Sequence, residues 1–125
     1  MSPSCWIPPN VDADVVPRAG SLAGLLGDNA APGEAARQLS EANINALEAN
    51  ALFDVMSLKR VRGAGASEAN QLAVAAELGG ACTSTAWVQT LLNVTTWASA
   101  RTPSAIQQET FGRSIFGLDP VYVIV

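Results

Sequence analysis

The stretch LGGACTSTAWVQTLLNVTTWASA, residues 78–100, contains no Asp, Glu, Lys or Arg. Twenty-three residues would suffice to cross a bilayer. Five threonines, two serines, Gln89, Asn93 and the Gly79-Gly80 pair leave only 12 apolar residues, however. The stretch therefore reads as a buried helix of a soluble, all-α domain and not as a membrane span. Ser84 (or Thr83) can cap it. Trp87, Leu91, Val94 and Ala98 then fall on one face, with Val88, Leu92 and Thr95 beside them. So wide an uncharged arc predicts a helix reaching Ala100 at the centre of a helical packing.

Upstream, Ser67 is placed to cap a helix from Glu68 to about Leu78, Glu68 lying at the positive end of its dipole. Its expected buried stripe is Leu72, Ala75, Ala76 and Gly79, with Gly79-Gly80 as the interruption. Before it, Lys59 to Gly65 reads as a glycine-containing loop and Leu52, Phe53, Val55 and Met56 as a short apolar run. Ser40 marks a further N-cap, with Leu39 and Ile44 spaced as a hydrophobic staple. Ile44, Leu47 and Ala51 would share that helix's inner face, and Asn50 would take the left-handed conformation that ends it. From Val15 the apolar residues Val15, Ala19, Leu22, Ala23, Leu25 and Leu26 keep helical spacing, which should falter by Pro32-Gly33. Residues 1–14 hold three prolines and no periodicity, so they read as an irregular lead-in.

Downstream, Thr102-Pro103 opens a fifth helix with Ile106, Thr110 and Phe111 inside and Gly112 as its stop. Residues 113–125 change character. Asp119-Pro120 signals a turn, and Val121 to Val125 is β-branched and aromatic, as a strand would be. This tail is expected to begin a β-structured region that the 125 residues do not contain.

Composition narrows the chemistry. The chain has the length of one domain. It is 49% apolar and only 14% charged, against about 25% charged in ordinary soluble domains. More surface is meant for burial than one small globule requires. A net charge of −4 argues against nucleic acid, and Lys59, Arg60 and Arg62 read as a solvated turn. With no histidine and no CxxC pair, neither a Cys/His zinc site nor a His-based triad can be built, and no metal ligand is assigned. Cys82 falls in apolar sequence and reads as a small buried hydrophobe. The absence of a disulfide framework or a secretory leader makes cytoplasm the expected compartment. Ser84 without a base is a cap and not a nucleophile. Glu77 and Glu109 read as solvated helix charges.

Several strings together resemble a known family. These are Glu77 to Val88 (ELGGACTSTAWV), Leu91 to Val94 (LLNV), Trp97 and Ala105 to Gly112 (AIQQETFG). Upstream, Glu34 to Ser40 (EAARQLS), Ala46 to Phe53 (ALEANALF) and the loop Lys59 to Gly65 add to it. Over residues 17–112, in order, the chain resembles the N-terminal helical domain of acyl-CoA dehydrogenase-like flavin monooxygenases. The family's usual glycine before Leu-Phe is Ala51 here, and the glycine pair after the basic loop is broken by Ala64.

The resemblance implies an all-α fold of about five helices over residues 15–112. It also implies an enzyme completed elsewhere by a middle β-domain and a C-terminal helical bundle that forms a homo-oligomer. Those parts would hold FAD or FMN, so this chain alone would bind flavin weakly or not at all. By the same carry-over, Trp87, Leu91, Asn93, Thr95, Thr96 and Trp97 are candidates for the wall of the substrate and flavin cavity. Some members have histidine near the position of Thr95; its absence leaves no catalytic residue to assign. The residues themselves allow another reading, in which Asn93 caps or bridges a neighbouring helix and both tryptophans are core. The competing function is a non-catalytic helical remnant that self-associates.

Overall fold

The computed structural model describes residues 14–53, 55–56, 68–99, 101, 103 and 105–106. The lead-in, the basic loop, the Ser67 cap, most of the fifth helix with Glu109 and the strand-like tail lie outside them. The described residues form six helices and no strand, an all-α arrangement. In chain order these are α1 (Val15–Gly20), α2 (Ala23–Asp28), α3 (Ala30–Ala36), α4 (Glu41–Ala49), α5 (Glu68–Ala81) and α6 (Thr83–Ser99). The antiparallel pair α5 and α6 is the backbone of the fold, and α1 and α2 pack on α5.

The first expected helix is three short ones. Ser21, Leu22 and Asn29 stay near helical backbone angles, so the path bends without reversing. Val15, Ala19, Leu22 and Leu26 keep one face and enter the core, whereas Ala23 and Leu25 point outward. Pro32 does not stop the chain. It falls in the first turn of α3, where its missing N–H would have had no helical partner. The helix ends instead at Arg37, which adopts φ 56°. Gln38 N–H closes on Gly33 O at 3.1 Å, the hydrogen bond of a left-handed helix stop. A Cβ at Gly20 would lie 2.9 Å from Glu77 Oε1, the end of a side chain that can turn aside, so glycine is not required there.

Helix α4 starts as its sequence requires, with Ser40 Oγ accepting from Asn43 N–H at 3.2 Å. Its end differs from expectation. Asn50 keeps φ −96°, and Ala51 takes the left-handed conformation at φ 53°. Leu52 N–H reaches Leu47 O at 3.0 Å. Asn50 is spared because its side chain donates to Ala46 O at 2.8 Å, while Arg18 Nη1 donates to Asn50 O at 2.9 Å. Ile44, expected inside, is 41% exposed, Ala51 is also exposed, and Asn43 with Leu47 forms the inner face.

Helix α5 runs through Gly79-Gly80 to Ala81, and the break comes at Cys82. Cys82 N–H still closes on Leu78 O at 2.8 Å, so two glycines late in a well-packed helix do not end it. Helix α6 begins at Thr83, so Cys82, not Thr83 or Ser84, is the residue flanking its start. The core joins Val15, Ala19, Leu22, Leu26, Leu47, Leu52, Phe53, Val55, Val74, Leu78, Cys82, Ala86 and Leu92.

Both long helices are rotated from expectation: Leu92 and, half-buried, Val88, Leu91, Ala75 and Gly79 keep part of the expected stripes inside, but Leu72, Trp87 and Val94 stand outside. On α5, Leu72 is 61% exposed and Ala76 is also exposed. Asn70, Gln71, Ala73, Val74 and Leu78 are buried instead. On α6, Trp87 is 69% exposed, Val94 42% exposed, and Ala98 is also exposed. Its buried residues are Thr85, Ala86, Gln89, Leu92, Asn93 and Thr96. Periodicity located the apolar stripe of each helix. It could not say whether that stripe faced in, because α6 has a polar stripe of the same period as its apolar one.

Candidate functional site: the two faces of helix α6

The inward face of α6 is a ladder of polar side chains. Gln89 and Gln71 of α5 exchange two amide hydrogen bonds, Gln71 Nε2 to Gln89 Oε1 at 2.8 Å and Gln89 Nε2 to Gln71 Oε1 at 3.1 Å. Gln89 Nε2 also donates to Leu52 O at 2.6 Å, and Asn93 Nδ2 donates to the same carbonyl at 2.8 Å. Met56 N–H donates to Asn93 Oδ1 at 3.3 Å. Two side chains thus bind Leu52 O and Met56 N–H, buried backbone groups outside the six helices, where helical hydrogen bonds do not serve them. At the N-terminal end of the helix, Asn29 Nδ2 donates to Asn43 Oδ1 at 2.9 Å, and Asn43 Nδ2 donates to Thr85 Oγ1 at 3.3 Å. Thr85 Oγ1 in turn donates to Cys82 Sγ at 3.3 Å.

The outward face is apolar and uncharged. Trp87, Leu91, Val94 and Ala98 succeed one another at intervals of four, three and four residues, a continuous stripe about three turns long. Trp97 is half-buried at its flank, with the Arg101 guanidinium stacked 4.0 Å from its ring centre. The hydroxyl of Thr95 bonds to its own helix, at 3.0 Å from both Leu91 O and Leu92 O. Thr96 Oγ1 does the same to Leu92 O at 2.7 Å.

The six candidate wall residues therefore divide. Trp87 stands outward, Leu91, Thr95 and Trp97 are half-buried, and Asn93 and Thr96 face the core. Asn93 bonds Leu52 O and Met56 N–H, which lie outside the six helices, whereas the alternative reading had it cap or bridge a neighbouring helix. The same reading's pair of core tryptophans is not found, since Trp87 is largely in solvent. Gln71, Gln89, Thr85 and Asn43 were missed. Their signal was the spacing of Thr85, Gln89, Asn93 and Thr96, four polar residues on one stripe of a helix with no charge to solvate its other face.

A cleft of about 290 Å³ opens elsewhere, where α3, the start of α4 and the α5–α6 junction meet. Glu34, Arg37, Ser40, Asn43, Cys82 and Ser84 line it, and none of the six wall candidates does. Ser84 is exposed there. Among the described residues, no cluster of His, Cys, Asp or Glu could hold a metal ion, and no helix is long and apolar enough to cross a membrane.

No family model and no solved structure matches the chain. It is nevertheless 31% identical over 97 residues, 78% of its length, to a protein of Rhizobium sp. (strain MTP-10005) described as "FADH(2)-dependent resorcinol hydroxylase, oxygenase component". The chain spans 24% of that protein, about a quarter of its length. The likeness relates this all-α chain to a flavin-dependent hydroxylase.

Proposed function

We propose that this chain is the N-terminal helical domain of a flavin-dependent oxidoreductase of the hydroxylase kind, and that the outward face of α6 is the wall it lends to the flavin and substrate cavity. The observation that carries the reading is the pairing of the two faces. Buried amides fix the helix against residues 52–56, and the opposite side offers Trp87 and Leu91, flanked by Thr95 and Trp97, with no charge along 17 residues. A rigid apolar wall of this kind suits a planar ring and excludes water from it. The similarity to an FADH(2)-dependent hydroxylase supports the same assignment.

In this reading Asn93 and Thr96 are positioning residues. They hold the helix and touch no ligand. The described residues present an apolar surface fit for one side of a flavin or an aromatic substrate. Along α6 itself there is no ionisable side chain, and the nearby Arg101 guanidinium is stacked on Trp97, so phosphate groups would be held by the remainder of the enzyme. When bound there, reduced flavin would supply the oxygen-activating chemistry of hydroxylation.

The 125-residue chain alone should show no saturable flavin fluorescence change below roughly 100 μM. Co-expression with the resorcinol hydroxylase lacking its N-terminal quarter, or with whatever polypeptide is encoded after codon 125, should yield a complex that binds flavin and hydroxylates. In that complex Trp87→Ala should lower kcat/KM at least tenfold without loss of assembly. Tight stoichiometric flavin binding by the chain alone would refute the division of labour. Unchanged kinetics in Trp87→Ala would refute the wall.

A further inference from the structure

We infer that the cleft where α3, the start of α4 and the α5–α6 junction meet binds a small zwitterion with an apolar side chain, of the chemical class of a free aliphatic α-amino acid. This does not rest on the flavin reading, since none of the wall candidates lines the cleft. It starts from two opposite charges that do not pair. Glu34 and Arg37 stand three residues apart at the end of α3, a spacing at which helical side chains ordinarily meet. Both line the cleft, yet neither makes an ion pair or a side-chain hydrogen bond among the described residues. The backbone gives the reason. At φ 56° the Cβ of Arg37 leaves the helical row that Glu34 occupies. Glycine is the usual residue of such a stop, so arginine stands there at a cost in backbone energy.

The rest of the cleft suits a short body carrying both charges. Leu39 and Val88 give it apolar wall, and Ser84 presents an exposed hydroxyl that no described residue engages. Asn43 is only 2% exposed and is held at both amide atoms, Oδ1 by Asn29 and Nδ2 by Thr85, so this part of the lining is fixed. A volume of about 290 Å³ lies at the lower edge of small-molecule sites, roughly 300–1,000 Å³, and excludes a peptide or a nucleotide. A carboxylate would take paired hydrogen bonds from the Arg37 guanidinium, an ammonium would face Glu34, and an aliphatic side chain would lie on Leu39 and Val88. A simple carboxylate would meet the like charge of Glu34, and a simple amine that of Arg37, so the cleft favours the molecule with both. Both charges are exposed and screened, so Kd should be on the order of 1 mM.

Titration of the whole chain with L-leucine, followed by proton–nitrogen correlation NMR, should give saturable shifts at Arg37, Ser40 and Ser84. Isocaproate, which lacks the ammonium, and isoamylamine, which lacks the carboxylate, should each bind at least tenfold more weakly. Arg37→Gly should abolish the shift at Ser84 and raise Tm, because glycine suits the left-handed turn. Lost binding in a more stable variant is not a folding defect. Glu34→Gln should weaken leucine at least threefold and leave isocaproate no weaker than before. No saturation by leucine below about 10 mM, isocaproate binding as tightly as leucine, or unchanged affinity in Arg37→Gly would each overturn the proposal. Any of these would leave the hydroxylase reading standing, because that one is decided by flavin binding and turnover in the completed enzyme.

Discussion

Ala51 sits at φ 53°, a conformation in which a Cβ crowds the following carbonyl. The left-handed turn is nonetheless required, because it lets Leu52 N–H reach back to Leu47 and delivers Leu52 and Phe53 to the core. The family that this chain resembles usually has glycine at this position, and the backbone shows why. Ala51→Gly should therefore stabilise the fold by about 0.5–1 kcal/mol, seen as a rise in the urea midpoint without a change in slope. A second prediction concerns the polar ladder. Asn93→Leu leaves Met56 N–H without its acceptor and should cost about 2 kcal/mol or more. Thr95→Val, whose hydroxyl bonds only to carbonyls already in the helix ladder, should change stability by less than about 0.5 kcal/mol. Equal effects in the two variants, compared by urea unfolding, would contradict the clamp.

At the scale of the element, the sequence located helices better than it oriented them. Ser40 and the spacing from Val15 to Leu26 specify local structure because capping and periodicity act within a turn or two of chain. The orientation of α5 and α6 is different. Each helix has two stripes able to be buried, and the choice depends on what the neighbouring elements need. Leu52 O and Met56 N–H are buried backbone groups brought to the helix pair, and the Gln89 and Asn93 side of α6 satisfies them. An apolar stripe turned inward would leave those groups buried and unbonded, at a cost beyond what Trp87 gains by burial. It follows that Leu78→Ala on the true inner face of α5 should destabilise by about 2–5 kcal/mol. Leu72→Ser, on the stripe that periodicity alone favoured, should shift stability by no more than about 0.5 kcal/mol. Thermal unfolding of the two variants at low protein concentration separates the alternatives.

At the scale of the molecule, the packing has one tied face and one bare one. Polar groups that ordinarily solvate a surface are spent inside, joining α4, α5, α6 and residues 52–56, while Leu72, Trp87, Val94 and Ile44 stand outside. This inversion fits the low charge of the chain, since uncharged side chains fill both the inner and the outer stripe of α6. The sequence by itself determined the all-α class, the presence of helices after Ser40, from Glu68 and in the uncharged stretch after Cys82, and, having no histidine, that no His-based triad can be built from these residues. Those properties depend on composition and on contacts a few residues apart. Only the tertiary structure decided which stripe of each long helix is buried, that Asn93 is a clamp, and that Trp87 is presented to solvent. Those outcomes were settled by hydrogen-bonding demands of backbone some 37 to 41 residues away along the chain, and no local pattern carries that information.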